Sequence, residues 1–238
     1  MAHESRPDRS HAGHIHHGSR ERRLGEAELR AAAALGRGPD GRSSDIASGL
    51  GTPHWIAAAI NFCSRCGTEM VERVPEGEQR PRMECPDCGF IAYVNPRLVV
   101  TTLPITDEGE VVLIRRGIEP GLGSWAQPGG FLEIDETVTE GAIRETLEET
   151  GLLVEPGPVV GFYSRLEAGV VTLVFEARIV GGTPTVSPEA LEVRPYAPSA
   201  IPWSEIAFKT SWFALRDWIA TRHPGVPVPS DFHGLDLF

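Results

Sequence analysis

The sequence is short of positive charge. Its 238 residues hold 22 Lys and Arg against 33 Asp and Glu, a formal charge of −11, and Lys209 is the only lysine. A protein that binds nucleic acid through the phosphates needs clustered cations, so this balance argues against a general nucleic-acid binder. A substrate that carries phosphates would need metal ions to be held in so acidic a protein.

Long apolar runs are missing as well. No stretch approaches the roughly 20 apolar residues of a membrane-spanning helix. The N-terminus also lacks the apolar segment of a secretory signal. We therefore expect no membrane association and a cytoplasmic location. Hydrophobic residues make up 41% of the chain, which is ordinary for a globular protein and can supply a core.

Residues 1–52 differ in composition from the rest of the chain. They are rich in Arg, Gly, Ser and His, and their one periodic apolar stretch is too short to offset its ordering entropy. We predict a disordered extension for residues 1–52 and a C-terminal tail for residues 224–238. The histidines at positions 11–17 could bind a metal, but a solvated tail is the simpler interpretation.

Cysteine is scarce, and its four residues fall in one arrangement. Cys63-x2-Cys66 and Cys85-x2-Cys88 are separated by 18 residues, and a glycine follows each pair. This spacing is typical of a zinc ribbon, in which each Cys-x-x-Cys turn directs two thiolates at one tetrahedral ion. The alternatives are two disulfides or four unrelated thiols. Four sulfur ligands leave no open position, so the Zn²⁺ should be structural, and residues 61–95 should need it to fold.

From residue 96 onward the sequence predicts strands and helices. Two β-branched runs, at residues 97–106 and 110–116, flank Asp-Glu-Gly and predict a hairpin. A helix is predicted at residues 137–150, with Asp135 or Thr137 as its N-cap and Gly151 after it. The order of these strands and helices predicts an α+β fold over residues 96–223, in which a mixed sheet has helices on both faces. Further strands are predicted at residues 159–165, 170–180 and 191–197, and helices at residues 203–208 and 210–222.

The helix predicted at residues 137–150 carries three glutamates on one face. Glu145, Glu148 and Glu149 lie at i, i+3 and i+4, where like charges repel, and the helix dipole adds to the cost near the C-terminus. Divalent cations reverse this cost, and oxygen-rich clusters suit Mg²⁺ or Mn²⁺. Arg144 can orient one carboxylate, and a carbonyl of the Pro128-Gly129-Gly130 segment can complete the coordination sphere. A solvated acidic helix face is the alternative.

The segment from Gly130 to Leu152 resembles the signature of the Nudix hydrolases, Gly-x5-Glu-x7-Arg-Glu-U-x-Glu-Glu-x-Gly-U, where U is apolar. Thr146, at the first U position, is the one departure. The resemblance implies an α/β/α sandwich and hydrolysis of a nucleoside diphosphate linked to another moiety, by attack of water at phosphorus. Every fixed residue of the signature is present: Gly130, Glu136, Arg144, Glu145, Glu148, Glu149 and Gly151.

The same resemblance implies roles for individual residues. Mg²⁺ ions would sit on Glu145, Glu148, Glu149 and the Gly129 carbonyl, and Glu136 would support the loop through backbone hydrogen bonds. The general base differs between Nudix subfamilies. A glutamate of the signature or a residue of a later loop can act as the base.

Outside the signature, several residues are candidates for the site. Glu189 is our candidate base, with Glu192 behind it, and a solvated loop glutamate is the alternative. Arg115 or Arg116 could contact a phosphate, or pack at the strand end with an exposed head. Four aromatic residues could stack on a base or flavin, although core packing is the commoner role: Tyr93, Trp125, Phe162 and Tyr163.

The combination of a zinc ribbon with a Nudix signature narrows the choice of substrate. It is similar to NADH pyrophosphatases, but those carry a Ser-Gln-Pro-Trp-Pro-Phe-Pro-x-Ser element, and none follows Leu152 here. The cysteine segments and residues 189–194 and 201–208 resemble zinc-ribbon Nudix hydrolases that act on ADP-ribose or FAD. We therefore predict one of these small molecules as substrate and AMP as a product. An NADH or NAD⁺ pyrophosphatase and a non-catalytic ligand-sensing regulator are the alternatives. A homodimer is expected from relatives of this kind.

Overall fold

A computed structural model describes residues 60–166 and 168–232. These residues form two compact units, which divide between Tyr93 and Val94. The extension predicted at residues 1–52, with its histidines, lies outside the described residues, as do residues 233–238 of the predicted tail. In the described part, no helix is long and apolar enough to cross a membrane.

The first unit is a small antiparallel sheet in the order β1-β2-β3, formed by Val71–Arg73, Arg82–Glu84 and Ile91–Ala92. Its buried core consists of four sulfur-containing residues: Cys63, Met70, Met83 and Cys85. This small apolar surface cannot offset the entropy lost when the chain is ordered. The fold of this unit therefore depends on what its cysteines bind.

The second unit is built on a mixed sheet in the order β10-β5-β4-β9-β8, with β6 paired to β5 and β7 to β4. Strands β4 and β9 are parallel and the other pairs are antiparallel. The strands are β4 (Arg97–Ile105), β5 (Val111–Arg116), β6 (Trp125–Ala126), β7 (Gly129–Phe131), β8 (Leu152–Arg165), β9 (Val170–Gly182) and β10 (Ala190–Tyr196). Helices α1 (Val138–Thr150) and α2 (Lys209–Arg222) cover it.

The two helices pack on opposite faces of the sheet. On β4, Val100 packs in the cluster beneath α1 with Ala142, whereas Leu103 packs against Trp212 and Leu215 of α2. Because successive side chains of a strand point to opposite faces, a central strand between two helices is apolar on both sides. The predicted α/β/α sandwich with a mixed sheet is confirmed.

Helix α1 is delimited by local signals. Thr137 is the N-cap and forms a capping box with Glu140, which decides between the two predicted caps. Gly151 ends the helix in the left-handed conformation (φ 71°), and its N–H donates to Leu147 O. A Cβ on Gly151 would lie 2.5 Å from Thr183 O, so glycine is required both by the conformation and by the approach of the chain after β9.

Two predicted elements differ from the structure. Strand β8 begins at Leu152 rather than at residue 159, because the sheet accommodates Pro156 and its neighbours by register shifts. The helix predicted at residues 203–208 is only a three-residue 3-10 turn, Trp203–Glu205. The chain then turns extended, because Ala207 N donates to Trp125 O at 2.8 Å and attaches this segment to β6.

Candidate active site

The loop before α1 lies against both the sheet and the helix. Gly129 has φ 147°, and a Cβ there would lie 2.6 Å from Thr101 Cα of the neighbouring strand. A Cβ on Gly130 would lie 2.5 Å from Glu145 Oε2. Both distances are shorter than real Cβ contacts, so only glycine lets the loop approach β4 on one side and the glutamates of α1 on the other.

Glu149 is the buried member of the glutamate cluster, with 6% of its surface exposed. Its Oε2 accepts the Gly129 N–H at 2.7 Å. Burial raises the pKa of Glu149 to about 7, and the charges of Glu145 and Glu189 act in the same direction. The carboxylate is therefore costly to keep ionised without a nearby cation.

Arg144 organises the surrounding carboxylates. Its Nε and Nη2 donate to the two carboxylate oxygens of Glu136 at 2.9 and 2.6 Å, and Nη1 donates to Glu145 at 2.8 Å and to Glu148 at 3.3 Å. Glu136 also accepts the Glu133 N–H at 2.9 Å. Hydrogen bonds from Arg144 lower the pKa of Glu136 to about 2, so Glu136 is an ionised anchor for both the arginine and the loop.

The cluster is left with an excess of negative charge. Arg144 is shared by three carboxylates, and burial still raises the pKa of Glu145 despite that partner. The donors available beside it are carboxylate oxygens and the carbonyl of Gly129. This all-oxygen set with surplus charge fits a hard divalent cation such as Mg²⁺ or Mn²⁺ and fits zinc poorly.

Glu189 and Arg116 lie beside the cluster. The charge of Glu189 raises the pKa of both Glu145 and Glu149, so its exposed carboxylate is within electrostatic range of both. Burial lowers the pKa of Arg116, and the charges of Glu149, Glu189 and Glu119 oppose that shift. Only Nε of this guanidinium has a hydrogen-bond partner in the described part of the chain, Pro120 O at 2.8 Å. Its two Nη nitrogens are donors left for a ligand.

Arg115 and Glu192 are engaged with each other. Arg115 Nη1 donates to Glu192 Oε1 at 2.7 Å, and Arg115 Nε donates to Gly123 O at 2.9 Å. The hydrogen bond from Arg115 lowers the pKa of Glu192, which also pairs with Arg194 at 2.6 Å. A carboxylate held ionised by two arginines is a poor proton acceptor, which argues against Glu192 as the general base. Of the candidate arginines 115 and 116 and the candidate glutamates 189 and 192, Arg116 and Glu189 are the ones beside the cluster.

The aromatic candidates have other partners. Trp125 is 3% exposed and packs edge-on against Tyr196, with ring centroids 5.1 Å apart. Tyr163 donates to Asp217 at 3.0 Å, and Tyr93 of the first unit donates to Glu78. Phe162 is exposed. Trp125 and Tyr163 are thus packing residues, as the commoner reading predicts.

The four cysteine sulfurs of the first unit converge. All lie within 4.8 Å of one another, and the pairs Cys63–Cys88, Cys66–Cys85 and Cys66–Cys88 are separated by 3.6, 3.4 and 3.6 Å. Zn–S bonds of about 2.3 Å in a tetrahedron place sulfurs about 3.8 Å apart. These separations fit a zinc ion and are far longer than the S–S bond of a disulfide, about 2.05 Å.

Comparison with known proteins decides the family. Residues 95–220, more than half of the chain, match the NUDIX domain, and residues 61–94 match the Nudix N-terminal zinc-ribbon family. The chain belongs to the Nudix hydrolase family. The predictions of a Nudix fold, of membership of the Nudix hydrolase family and of a preceding zinc ribbon are therefore confirmed.

Individual Nudix proteins are similar to this chain. The crystal structure of a NUDIX hydrolase from Nitrosomonas europaea is 39% identical, covers 73% of this chain and 97% of that chain, and has a TM-score of 0.64. An ADP-ribose pyrophosphatase from Methanocaldococcus jannaschii is 35% identical over 104 residues, 42% of this chain and 61% of that protein. An NAD-capped RNA hydrolase NudC from Stutzerimonas stutzeri is 30% identical over 146 residues, 61% of this chain and 50% of that protein. The chain thus spans less than two thirds of the length of each of these two curated relatives.

Three residues near the Nudix site escaped sequence reasoning. Thr102 of β4 hydrogen-bonds to Thr146, and the only sequence signal was the threonine at an apolar position of the signature. Gln127 is 5% exposed, and its Oε1 has no partner among the described residues. Phe208 lies under the Arg116 guanidinium, 4.9 Å from its ring centroid. The contact between Arg116 and Phe208 joins segments far apart in sequence, so nothing local indicates it.

Proposed function

We propose that this protein hydrolyses a nucleoside diphosphate linked to another moiety, with Mg²⁺ or Mn²⁺ as cofactor, and that it releases AMP from ADP-ribose or FAD. One observation carries the proposal. The carboxylates of Glu145 and Glu149 converge on the Gly129–Gly130 backbone with more negative charge than the nearby arginines neutralise. Such a cluster is costly unless it binds cations.

The cations would be held by Glu145, Glu148, Glu149 and the Gly129 carbonyl. When bound, they supply neutralisation of the diphosphate and acidification of the attacking water. Arg144 orients Glu145 and Glu148 through the Nη1 hydrogen bonds at 2.8 and 3.3 Å. Gly130 supports the close approach of loop and helix, and Glu136 keeps Arg144 in place.

Two residues outside the signature act on the reacting groups in this proposal. The exposed carboxylate of Glu189 takes the proton from the attacking water, which its position beside Glu145 and Glu149 supports. The two Nη groups of Arg116 donate to a phosphate oxygen, and a planar guanidinium suits that contact. Arg116 is half-buried, so its orientation is set before substrate arrives.

The zinc site plays no chemical part in this proposal. Four thiolates from Cys63, Cys66, Cys85 and Cys88 fill a tetrahedral ion and leave no position for water or substrate. The ion then supplies the stability that the small core of the first unit does not.

ADP-ribose is our preferred substrate. The name of the relative from Methanocaldococcus jannaschii supports it, and so does the missing element after Leu152 that NADH pyrophosphatases carry. NADH or NAD⁺ is the second candidate, because the similarity to the NudC relative extends over 61% of this chain. A non-catalytic regulator would have no need of the costly glutamate cluster.

A substrate panel tests the proposal. The purified protein is incubated with ADP-ribose, FAD, NADH, a diadenosine polyphosphate and a dNTP in Mg²⁺, and products are identified by mass. We expect AMP from ADP-ribose or FAD at a higher kcat/KM than from NADH. Turnover of dNTPs with no turnover of ADP-ribose, FAD, NADH or the diadenosine polyphosphate would refute the substrate class. Sequence-selective DNA binding without hydrolysis would favour the regulator.

A further inference from the structure

Thr102 contacts both halves of the glutamate site. It is fully buried on β4, and its main-chain N–H donates to Pro128 O, directly before the Gly129–Gly130 loop, at 3.1 Å. Its side-chain hydroxyl is 2.7 Å from the hydroxyl of Thr146 on α1. The backbone of one residue therefore holds the loop, and its side chain holds the helix.

The direction of the hydroxyl contact follows from the proton count. Thr146 Oγ1 also donates to Ala142 O at 2.7 Å. A hydroxyl has one proton, so Thr146 must accept from Thr102. The chain of donors runs from Thr102 to Thr146 to Ala142, and both buried hydroxyls are satisfied. An apolar residue at position 146, as the Nudix signature specifies, could pack there but could not form this bond.

The neighbours of Thr146 give the contact its consequence. Glu145 precedes it and lies directly against Gly130, and Glu149 follows one turn later and accepts the Gly129 N–H at 2.7 Å. Ligand distances in a metal site tolerate only a few tenths of an ångström. A small rotation of α1 on the sheet would separate the carboxylates from the loop by more than that.

We propose that Thr102 and Thr146 form a positioning pair that sets the glutamates of α1 against the Gly129–Gly130 loop and thereby sets the affinity for the divalent cation. The pair touches neither cation nor substrate. The inference deepens the proposed function and rests on it for the identity of the site.

Three valine variants test the pair: Thr102→Val, Thr146→Val and the double variant. Mn²⁺ binding is measured by electron paramagnetic resonance, alongside kcat, KM for ADP-ribose at saturating metal, and melting temperature. We expect Mn²⁺ affinity to fall about tenfold in all three, since partners behind the ligands typically contribute about tenfold or more. KM at saturating metal should stay within twofold.

Stability should follow a different order from affinity. Thr146→Val leaves the buried Thr102 hydroxyl without an acceptor and should melt lowest, whereas the double variant leaves no unpaired hydroxyl and should recover. Thr146→Ser keeps the hydrogen bond but loses a methyl group, so it should melt lower than wild type with Mn²⁺ affinity within twofold. Thr172→Val is the matched control, because Thr172 is buried on β9 of the same sheet and takes no part in the Thr102–Thr146 contact.

The outcomes separate this inference from the proposed function. Mn²⁺ affinity within twofold of wild type in the valine variants, or affinity that recovers with melting temperature in the double variant, overturns the positioning role. A wild-type protein that binds Mn²⁺ but hydrolyses neither ADP-ribose nor any dinucleotide of the panel overturns the proposed function. The Mn²⁺ titrations then still show whether Thr102 and Thr146 act as a positioning pair. A wild-type protein that binds no Mn²⁺ overturns both.

Discussion

Replacing Glu149 with glutamine separates the charge of this side chain from its shape. Glutamine keeps an oxygen to accept the Gly129 N–H, which Glu149 accepts at 2.7 Å, but cannot ionise. Burial raises the pKa of Glu149 from 4.5 to about 7. At 1.36 kcal/mol per pKa unit, this shift corresponds to about 3 kcal/mol.

The sign of the effect is unusual for a carboxylate. Between pH 4.5 and pH 7 the folded protein keeps a proton that the unfolded chain has released, so stability without divalent cations falls as pH rises. The loss should be complete above about pH 7 and amount to about 3 kcal/mol. Because Glu149→Gln lacks this titration, the variant should be the more stable protein at pH 8 while its turnover falls by orders of magnitude.

Urea unfolding at pH 5, 6, 7 and 8 measures this effect. Four of the five tryptophans lie in the second unit, so tryptophan fluorescence mainly follows the unit that holds the site; they are Trp125, Trp203, Trp212 and Trp218. Zinc is retained and Mg²⁺ omitted. Adding Mg²⁺ at pH 8 should then stabilise the wild type and not the variant. Parallel pH profiles for the two proteins, or near-normal turnover in Glu149→Gln, would refute the reasoning.

Three further predictions concern other parts of the chain. Stripping zinc, or replacing Cys85 with serine, should unfold the first unit, which is measured as a loss of circular dichroism. Added Zn²⁺ should restore the signal of the stripped protein, and a signal that resists a strong chelator would contradict a zinc-dependent fold. Gln127→Leu should raise the free energy of unfolding by about 1 kcal/mol, because Gln127 Oε1 is buried without a partner among the described residues; a lower urea midpoint would show that this oxygen is satisfied. Arg116→Gln should raise KM for ADP-ribose about tenfold or more with little change in melting temperature, and Arg115→Gln, which breaks the Glu192 pair instead, is its matched control.

What could be predicted from the sequence was encoded locally. The cysteine spacing, the three glutamates on one helix face and the glycine after Thr150 are each confined to a short segment, and each is where the structure places it. The N-cap was ambiguous between Asp135 and Thr137, because either residue type can cap. Only Thr137 stands three residues before a glutamate that completes the capping box.

What could not be predicted depends on contacts between distant segments. Arg115 and Arg116 are equivalent in the sequence, and pairing with β10 at Glu192 separates their roles. The segment at residues 203–208 has a helical pattern, but its bond to Trp125 draws it into an extended path. Thr146 indicated a departure from the signature, and only the packing of α1 on β4 shows that its partner is Thr102.

The most direct test of the central claim is anomalous diffraction from a crystal soaked in Mn²⁺ with a non-hydrolysable ADP-ribose analogue. We expect manganese peaks within about 2.2 Å of carboxylate oxygens of Glu145 or Glu149, with the diphosphate on the same ions and near Arg116. A crystal that binds the analogue elsewhere, with no manganese at these glutamates and Arg144 as their sole cationic partner, would contradict the assignment of the metal site.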